Sequence, residues 1–353
     1  MHFLDFRSVL TDMFAEELAP YGSIEAVDFI HRNHTDVYRI RAQRGSLIAH
    51  VSSDGKPYLK RVRNNLELVA PLNDRRIPKI QAWRAGTGTI ATRDWAVLVY
   101  EEIPGERVSR RNFARSTWDG LAECLANVHS LEGDELPGGG PVFIGHDPAN
   151  FAAFARTLML RIGDLPMQPN RVRAHLEQMA EFVDRHKESF AVPPRMIHGD
   201  LDRQNIVAAG DEVGILDWAD LSSGDYAFDL GMLKFMLDSV APQSGTKMIH
   251  EQARRYRDRF SDGTLELRLQ FFNALAGLVH AFHACDDTGA FKPARAWRVR
   301  TSYLHSEAQW RSPLKLDGEP TGAPAVRTEQ WALDIEQPMR GLYYLLAPKR
   351  VGN

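Results

Sequence analysis

The chain has 353 residues, 44% of them hydrophobic, and a formal net charge of -3. Such a length and apolar share suffice for a full core in one large domain or two lobes. The near-even balance of charge excludes a chain that binds nucleic acid or an anionic membrane by bulk charge. Cys124 and Cys285, the only cysteines, both stand in apolar, helix-like contexts. We expect buried free thiols there rather than a disulfide. The opening "MHFLDFRSVLTDMFAEEL" carries acids in its first turns and no continuous apolar run, so it does not read as a signal peptide. No stretch approaches the length of a transmembrane helix. The expectation is a soluble, cytoplasmic protein.

In chain order, residues 4–18 place Phe6, Val9, Leu10, Met13, Phe14 and Leu18 at helical spacing. "SIEAVDFIH" alternates as a strand, and "RNHTD" is a polar turn. "VYRIRA" and "LIAHVSS" follow as strands joined by the tight turn "QRGS". "YLKRVRNNLELVAPL" returns to helical spacing, with Leu59, Val62, Leu66, Val69 and Leu72 on one side. "IPKIQAW" and "WAVLVYEEIPG" read as two more strands, the second ending at Pro104-Gly105. Beyond Gly105 the periodicity turns helical in "TWDGLAECLANVHSL". A Gly/Pro-rich loop, "EGDELPGGGPVFIGHDP", interrupts it. Residues 149–162 and 170–187 read as helices. So do "GMLKFMLDSV", "GTKMIHEQARRYRDRF" and "LELRLQFFNALAGLVHAFHAC". From Ser312 onward, prolines punctuate an irregular tail with one short helix near Trp331. There is no internal repeat or low-complexity run.

The chemistry concentrates in "MIHGDLDRQNIVAAGDEVGILDWADLSSGDYAFDLG", residues 196–231. Here Asn205 follows Asp200 by five positions, so a carboxylate and an amide can share one short loop. Asp217 ends the apolar strand "VGILDW", where a carboxylate can ligate a hard cation. One group able to take a hydroxyl proton and two oxygen ligands for Mg²⁺ make a minimal phosphoryl-transfer set, since that chemistry is mostly positioning and charge neutralisation. No H-x-x-x-H or Cys/His cluster exists to support a metal-dependent hydrolase instead.

This segment resembles the aminoglycoside phosphotransferase and choline kinase-like superfamily. The resemblance covers the order of elements from about residue 20 to 310 and is sharpest over 196–231. It implies an α+β, two-lobed protein-kinase-like fold. Residues 1–104 would form a small antiparallel-sheet N-lobe that binds nucleotide. Residues 105–311 would form a mainly helical C-lobe with the catalytic loop and acceptor site, and 312–353 a wrap or tail. It implies Asp200 as catalytic base, Asn205 and Asp217 as Mg²⁺ ligands, and His198 as the residue holding the loop turn. Asp225 and Asp229 resemble the acids that cap the following helix and brace that loop. The backbone of Glu101, Glu102 and Ile103 resembles the interlobe linker that hydrogen-bonds the nucleobase. A protein kinase fits less well: "HGD" replaces "HRD", "LDW" replaces "DFG", and no "APE" follows.

One position departs from the family pattern. Where a strand lysine would neutralise phosphates and pair with a helix glutamate, the sequence has His50. Either His50 takes that role, or Lys56, Lys60, Arg39 or Arg41 reaches in, or nucleotide binding is impaired. The helix partner is open as well, between Glu67, Asn64 and Asn65. Acceptor contacts are expected on C-lobe helices, with Asp238, His280, His283, Asp286 and Asp287 as candidates. The resemblance implies a Mg²⁺-dependent enzyme that takes ATP or GTP and a small hydroxylated acceptor, as a monomer or homodimer. An antibiotic-inactivating phosphotransferase is the first reading. A metabolic kinase of choline, sugar or nucleoside type is the second, and a nucleotide-binding pseudokinase scaffold the third.

Overall fold

The structure, a computed structural model, describes residues 12–32, 35–52, 56–87, 94–133, 169–284, 293–311 and 315–317. A short helix α1 (Ala15–Leu18) leads into strands β1 (Ile24–Arg32), β2 (Asp36–Ala42) and β3 (Gly45–Ser52). Helix α2 (Lys56–Val69) precedes β4 (Ile80–Thr87) and β5 (Asp94–Glu101). These strands form one antiparallel sheet in the order β1-β2-β3-β5-β4. The alternation foreseen in the sequence divides the sheet into two faces. Leu47, Ala49 and Val51 of β3 join Val97 and Val99 of β5 in one apolar cluster, capped by Phe14 and Leu18. The other face turns Ala96 and Leu98 toward Leu59, Val62, Leu66 and Val69 of α2. His50 pairs with Leu98 across the ladder and therefore lies on this second face.

After the sheet, β6 (Glu106–Arg107) pairs with β8 (Ile206–Ala209), which pairs with β9 (Glu212–Ile215). The approach is close enough that Gly105, at φ +137°, has no room for a Cβ: it would meet the Ala208 carbonyl at 2.7 Å. A second pair joins β7 (Arg195–Ile197) to β10 (Ser222–Gly224). The remaining mass is helical. It comprises α3 (Arg115–Val128), α4 (Pro169–Arg185), α5 (Tyr226–Val240), α6 (Gly245–Phe260), α7 (Leu265–Ala284) and α8 (Pro293–Arg311). The α+β class and its kinase-like arrangement are as the sequence implied.

Two sequence expectations, the helix over 149–162 and most of the tail from Ser312, lie outside the described residues, as do residues 4–11. Cys124 is a buried free thiol, and burial raises its pKa. No helix among the described residues is long and apolar enough to cross a membrane.

Helix α8 was not foreseen. Its buried positions include Ser302, His305, Ser306, Glu307 and Gln309, so no apolar stripe marks it. Polar pairing holds it instead. Arg171 of α4 binds Glu307 in bidentate fashion, Tyr303 donates to Glu307 at 2.7 Å, and His175 meets Ser306 at 2.8 Å. Burial lowers the His175 pKa from 6.5 to about 4, with Glu307 opposing only in part. The unfolded chain therefore binds a proton at this site that the native fold refuses. Stability should fall as pH drops from about 6.5 toward 4, with a limiting slope near 1.4 kcal/mol per pH unit for this group. Urea unfolding of wild type and His175→Gln between pH 7 and pH 4.5 measures it. The variant should show a flatter decline, and an unchanged slope would clear His175 of the effect.

Candidate active site

The loop after β7 is fixed from below by one buried carboxylate. Asp229, on the first turn of α5, accepts the His198 N–H at 2.7 Å and the Gly199 N–H at 3.0 Å. The His129 Nε2–H donates to the same group at 2.9 Å, and Tyr256 meets His129 Nδ1 at 2.7 Å. Burial alone would raise the Asp229 pKa, but the bonds from His129 and the loop amides outweigh it and hold the group below the usual carboxylate range. Gly199 sits at φ +83°, and a Cβ there would collide with the Asp220 carbonyl oxygen, so this turn requires glycine. His198 is fully buried. Its ring donates at Nε2 to Leu216 O (3.0 Å) and accepts at Nδ1 from the Asp200 N–H (3.3 Å), tying the loop to the end of β9.

Above this brace the polar groups converge. Asn205 Nδ2 donates to both the backbone oxygen and the Oδ2 of Asp200, each at 2.8 Å. The Leu216 N–H donates to Asn205 O at 2.7 Å, bringing Asp217 to the same end of β9. Asp217 adopts the left-handed conformation, φ 57° and ψ 67°. A non-glycine residue held there stores roughly 1–3 kcal/mol of strain, a cost that concentrates at functional sites. Helix α2 buttresses the turn that follows: Asn65 Nδ2 donates to Trp218 O (2.8 Å) and Ala219 O (3.1 Å). Tyr58 donates to Asp217 Oδ1 at 3.3 Å. Asp220 has a raised pKa, first from burial and then from the charges of Asp200 and Asp217. Among the described residues no three His, Cys, Asp or Glu side chains are grouped to hold a metal ion, so any cation here would rest on one or two protein ligands, the number Mg²⁺ commonly takes.

His50 answers the sequence question in part. Its Nδ1 meets Thr35 Oγ1 at 3.0 Å and its Nε2 meets the Tyr100 hydroxyl at 2.6 Å. Burial lowers its pKa to about 4, with Asp217 opposing only partly. The ring is therefore neutral near pH 7 and supplies no counter-charge. Arg39 binds Glu102 at 2.7 Å and Arg41 binds Asp28 at 2.9 Å, so both have other partners. Lys60 is exposed, and the Lys56 side chain lies outside the described residues. Glu67 faces outward in a pair with Arg63, whereas Asn65 bonds the turn after Asp217.

At the linker, the Glu101 N–H donates to Lys79 O and the Glu102 N–H to Ser46 O, both at 3.0 Å. The Ile103 N–H has no such backbone partner among the described residues. Asp225 caps α5 by accepting the Ala227 N–H at 2.9 Å, and it pairs with the fully buried Arg268, which also holds Asp262. Asp238 lies in a different network: Lys234 binds it at 2.6 Å and His305 at 2.7 Å. No described contact joins Asp238 to the Asp200 loop. The side chains of His283, Asp286 and Asp287 lie outside the described residues. Sequence reasoning missed Arg61, Tyr58, Asp220 and His129, and left Asn65 as one of three candidates for the helix partner. A signal existed for two of them, since Tyr58 and Arg61 fall at helical spacing with Asn65 beside the apolar stripe of α2.

The sequence matches the family described as "Phosphotransferase enzyme family" over residues 27–269. Among curated proteins, none matches the chain by sequence. Solved structures share its fold. One is a thermostable mutant of the aminoglycoside phosphotransferase APH(4)-Ia in a ternary complex with AMP-PNP and hygromycin B. It has a TM-score of 0.58 at 13% identity, covering 86% of this chain and 98% of that one. Another is a putative fructosamine-3-kinase from Haemophilus somnus, with a TM-score of 0.56 at 12% identity over 85% and 96%. A third is an ethanolamine kinase of Plasmodium vivax, with a TM-score of 0.55 at 12% identity over 85% and 87%.

Proposed function

We propose that this chain, because it belongs to the phosphotransferase enzyme family, moves the γ-phosphoryl group of ATP onto a hydroxyl of a small polar acceptor. The observation that carries this reading is the Asp200–Asn205 hydrogen bond on a loop braced by Asp229, with Asp217 held in a strained turn beside it. Asp200 would take the acceptor's proton as the hydroxyl attacks phosphorus, and it must reach that oxygen within hydrogen-bond distance. Asn205 and Asp217 would hold Mg²⁺. The Asn205 amide nitrogen is engaged with Asp200, so its oxygen is the atom that would serve as a ligand. The ion, when bound, supplies neutralising charge at the phosphoryl oxygens. Residues 1–104 would hold the nucleotide, with the base against the Ile103 N–H of the linker. Residues 105–311 would bring the acceptor to Asp200.

The similar structures support ATP as donor through the AMP-PNP of the aminoglycoside enzyme. They divide on the acceptor, since an antibiotic, a fructosamine and an amino alcohol are all hydroxylated and basic or polar. Antibiotic inactivation remains our first reading and a metabolic kinase the second. The neutral His50 favours a third, a nucleotide-binding scaffold. A transfer screen with ATP and GTP against aminoglycosides, other hydroxylated antibiotics, choline, ethanolamine and amino sugars, read by mass shift, tests all three. One acceptor gaining a phosphoryl group supports an enzyme and identifies its substrate. Nucleotide binding with neither transfer nor slow nucleotide hydrolysis supports the scaffold.

A further inference from the structure

A nucleoside triphosphate would bring several negative charges beside Asp200, Asp217 and Asp220, which already raise one another's cost of ionisation. A fixed protein cation would offset them alongside a bound metal ion. The neutral His50 does not, and Arg39 and Arg41 are paired elsewhere. Arg61 has none of these commitments. It stands on α2 between Tyr58, which bonds Asp217, and Asn65, which bonds the turn after Asp217. Spacings of three and four put all three on one helix face. The Arg61 guanidinium lies over the Tyr58 ring at 5.6 Å from its centre. Its charge lowers the Asp220 and Tyr58 pKa values against the larger effects of burial. No carboxylate lies within ion-pair distance of it among the described residues, and its Nε is buried without a hydrogen-bond partner. A buried guanidinium N–H with no acceptor is costly unless a ligand fills the role.

We propose that Arg61 is the phosphate-binding cation of this enzyme, so that the counter-charge has moved from the third strand to the facing helix. The inference rests on the reading of the chain as an ATP-dependent kinase. A planar guanidinium suits the task, because its parallel N–H donors match two phosphoryl oxygens. The move is reciprocal: β3 carries a neutral imidazole hydrogen-bonded to Tyr100, and the helix carries a cation beside Asn65 in place of an acid. Tyr58 fixes the guanidinium from beneath, as a ring face does for a cation.

The test is calorimetric titration of wild type, Arg61→Gln and Arg61→Lys with adenosine, ADP and ATP in the presence of Mg²⁺. Arg61→Gln should lose about tenfold or more in ATP affinity, less for ADP, and nothing for adenosine. Arg61→Lys, which keeps the charge, should recover a large part of the loss. Unchanged adenosine binding doubles as the check that the site is still folded. An ATP affinity in Arg61→Gln within twofold of wild type overturns the inference and leaves the kinase reading intact. An equal loss for adenosine and ATP also overturns it, because that pattern marks a structural residue. If wild type itself binds no nucleotide, the kinase reading fails and this inference falls with it.

Discussion

Asp200→Asn should cut kcat by about 10²- to 10⁴-fold, the range associated with a positioned general base, while the Kd for ATP stays within about twofold. The substitution is nearly isosteric. The Asn205 amide now donates to a carboxylate oxygen of Asp200, and it can donate equally to an asparagine oxygen. The loop should therefore keep its shape, since its anchorage lies in Asp229 and His198 rather than in the Asp200 carboxyl. What disappears is the capacity to accept a proton. Loss in kcat with no change in nucleotide binding is the signature of a group that acts in the transition state alone. Single-turnover kinetics and an ATP titration on the same preparation separate the two quantities. Turnover within tenfold of wild type would move the proton to another carboxylate. Asp220 would be the first to consider, because burial and the charges of Asp200 and Asp217 already raise its pKa.

The site was legible in the sequence wherever it is local. Asp200, Asn205 and Asp217 fall on one loop and the strand that follows it, so their spacing alone implied convergence. The sequence points to Asp225 and Asp229 as capping and bracing acids; in the fold Asp225 accepts the Ala227 N–H and Asp229 accepts the His198 and Gly199 N–H groups. The groups that complete the site come from far away in the chain. Tyr58 lies 159 residues from Asp217, and His129 lies 100 from Asp229. Helical spacing groups Tyr58 with Arg61 and Asn65 but does not say that this face meets Asp217, and His129 stands in no pattern that spacing could have exposed. His50 shows a different limit. Its position on the third strand was visible, but its charge depends first on burial, which only the folded sheet supplies. The same holds for α8, where buried Ser, His, Glu and Gln replace the apolar stripe that marks a helix. Apolar periodicity finds elements that bury hydrocarbon and is blind to those that bury paired polar groups.

The brace beneath the loop carries the second large prediction. Asp229→Ala should lower the unfolding free energy at pH 7 by about 3–5 kcal/mol, as expected when one partner of a buried charged network is removed. Three donors would lose their acceptor at once: the His129 ring, the His198 N–H and the Gly199 N–H. The native pKa of Asp229 lies below its ordinary value. Its contribution is therefore fully present above the unfolded carboxylate pKa and is lost as pH falls through the folded one. The gap between wild type and Asp229→Ala should be constant from pH 8 to about pH 5 and should narrow only in more acidic solution. Urea unfolding across that range measures both the size and the window. A companion variant, His129→Ala, tests whether the network acts as a unit. Wild type, both single variants and the double variant form a cycle, and the two losses should sum to more than the double variant shows, since the first substitution already breaks the shared bond. Strictly additive losses, or an Asp229→Ala cost below about 1 kcal/mol, would mean that the loop is held by His198 and Leu216 and that Asp229 merely fills space. Activity distinguishes these cases again. A loop that depends on Asp229 should lose Asp200 alignment in the alanine variant, so kcat should fall even at temperatures where the protein remains folded.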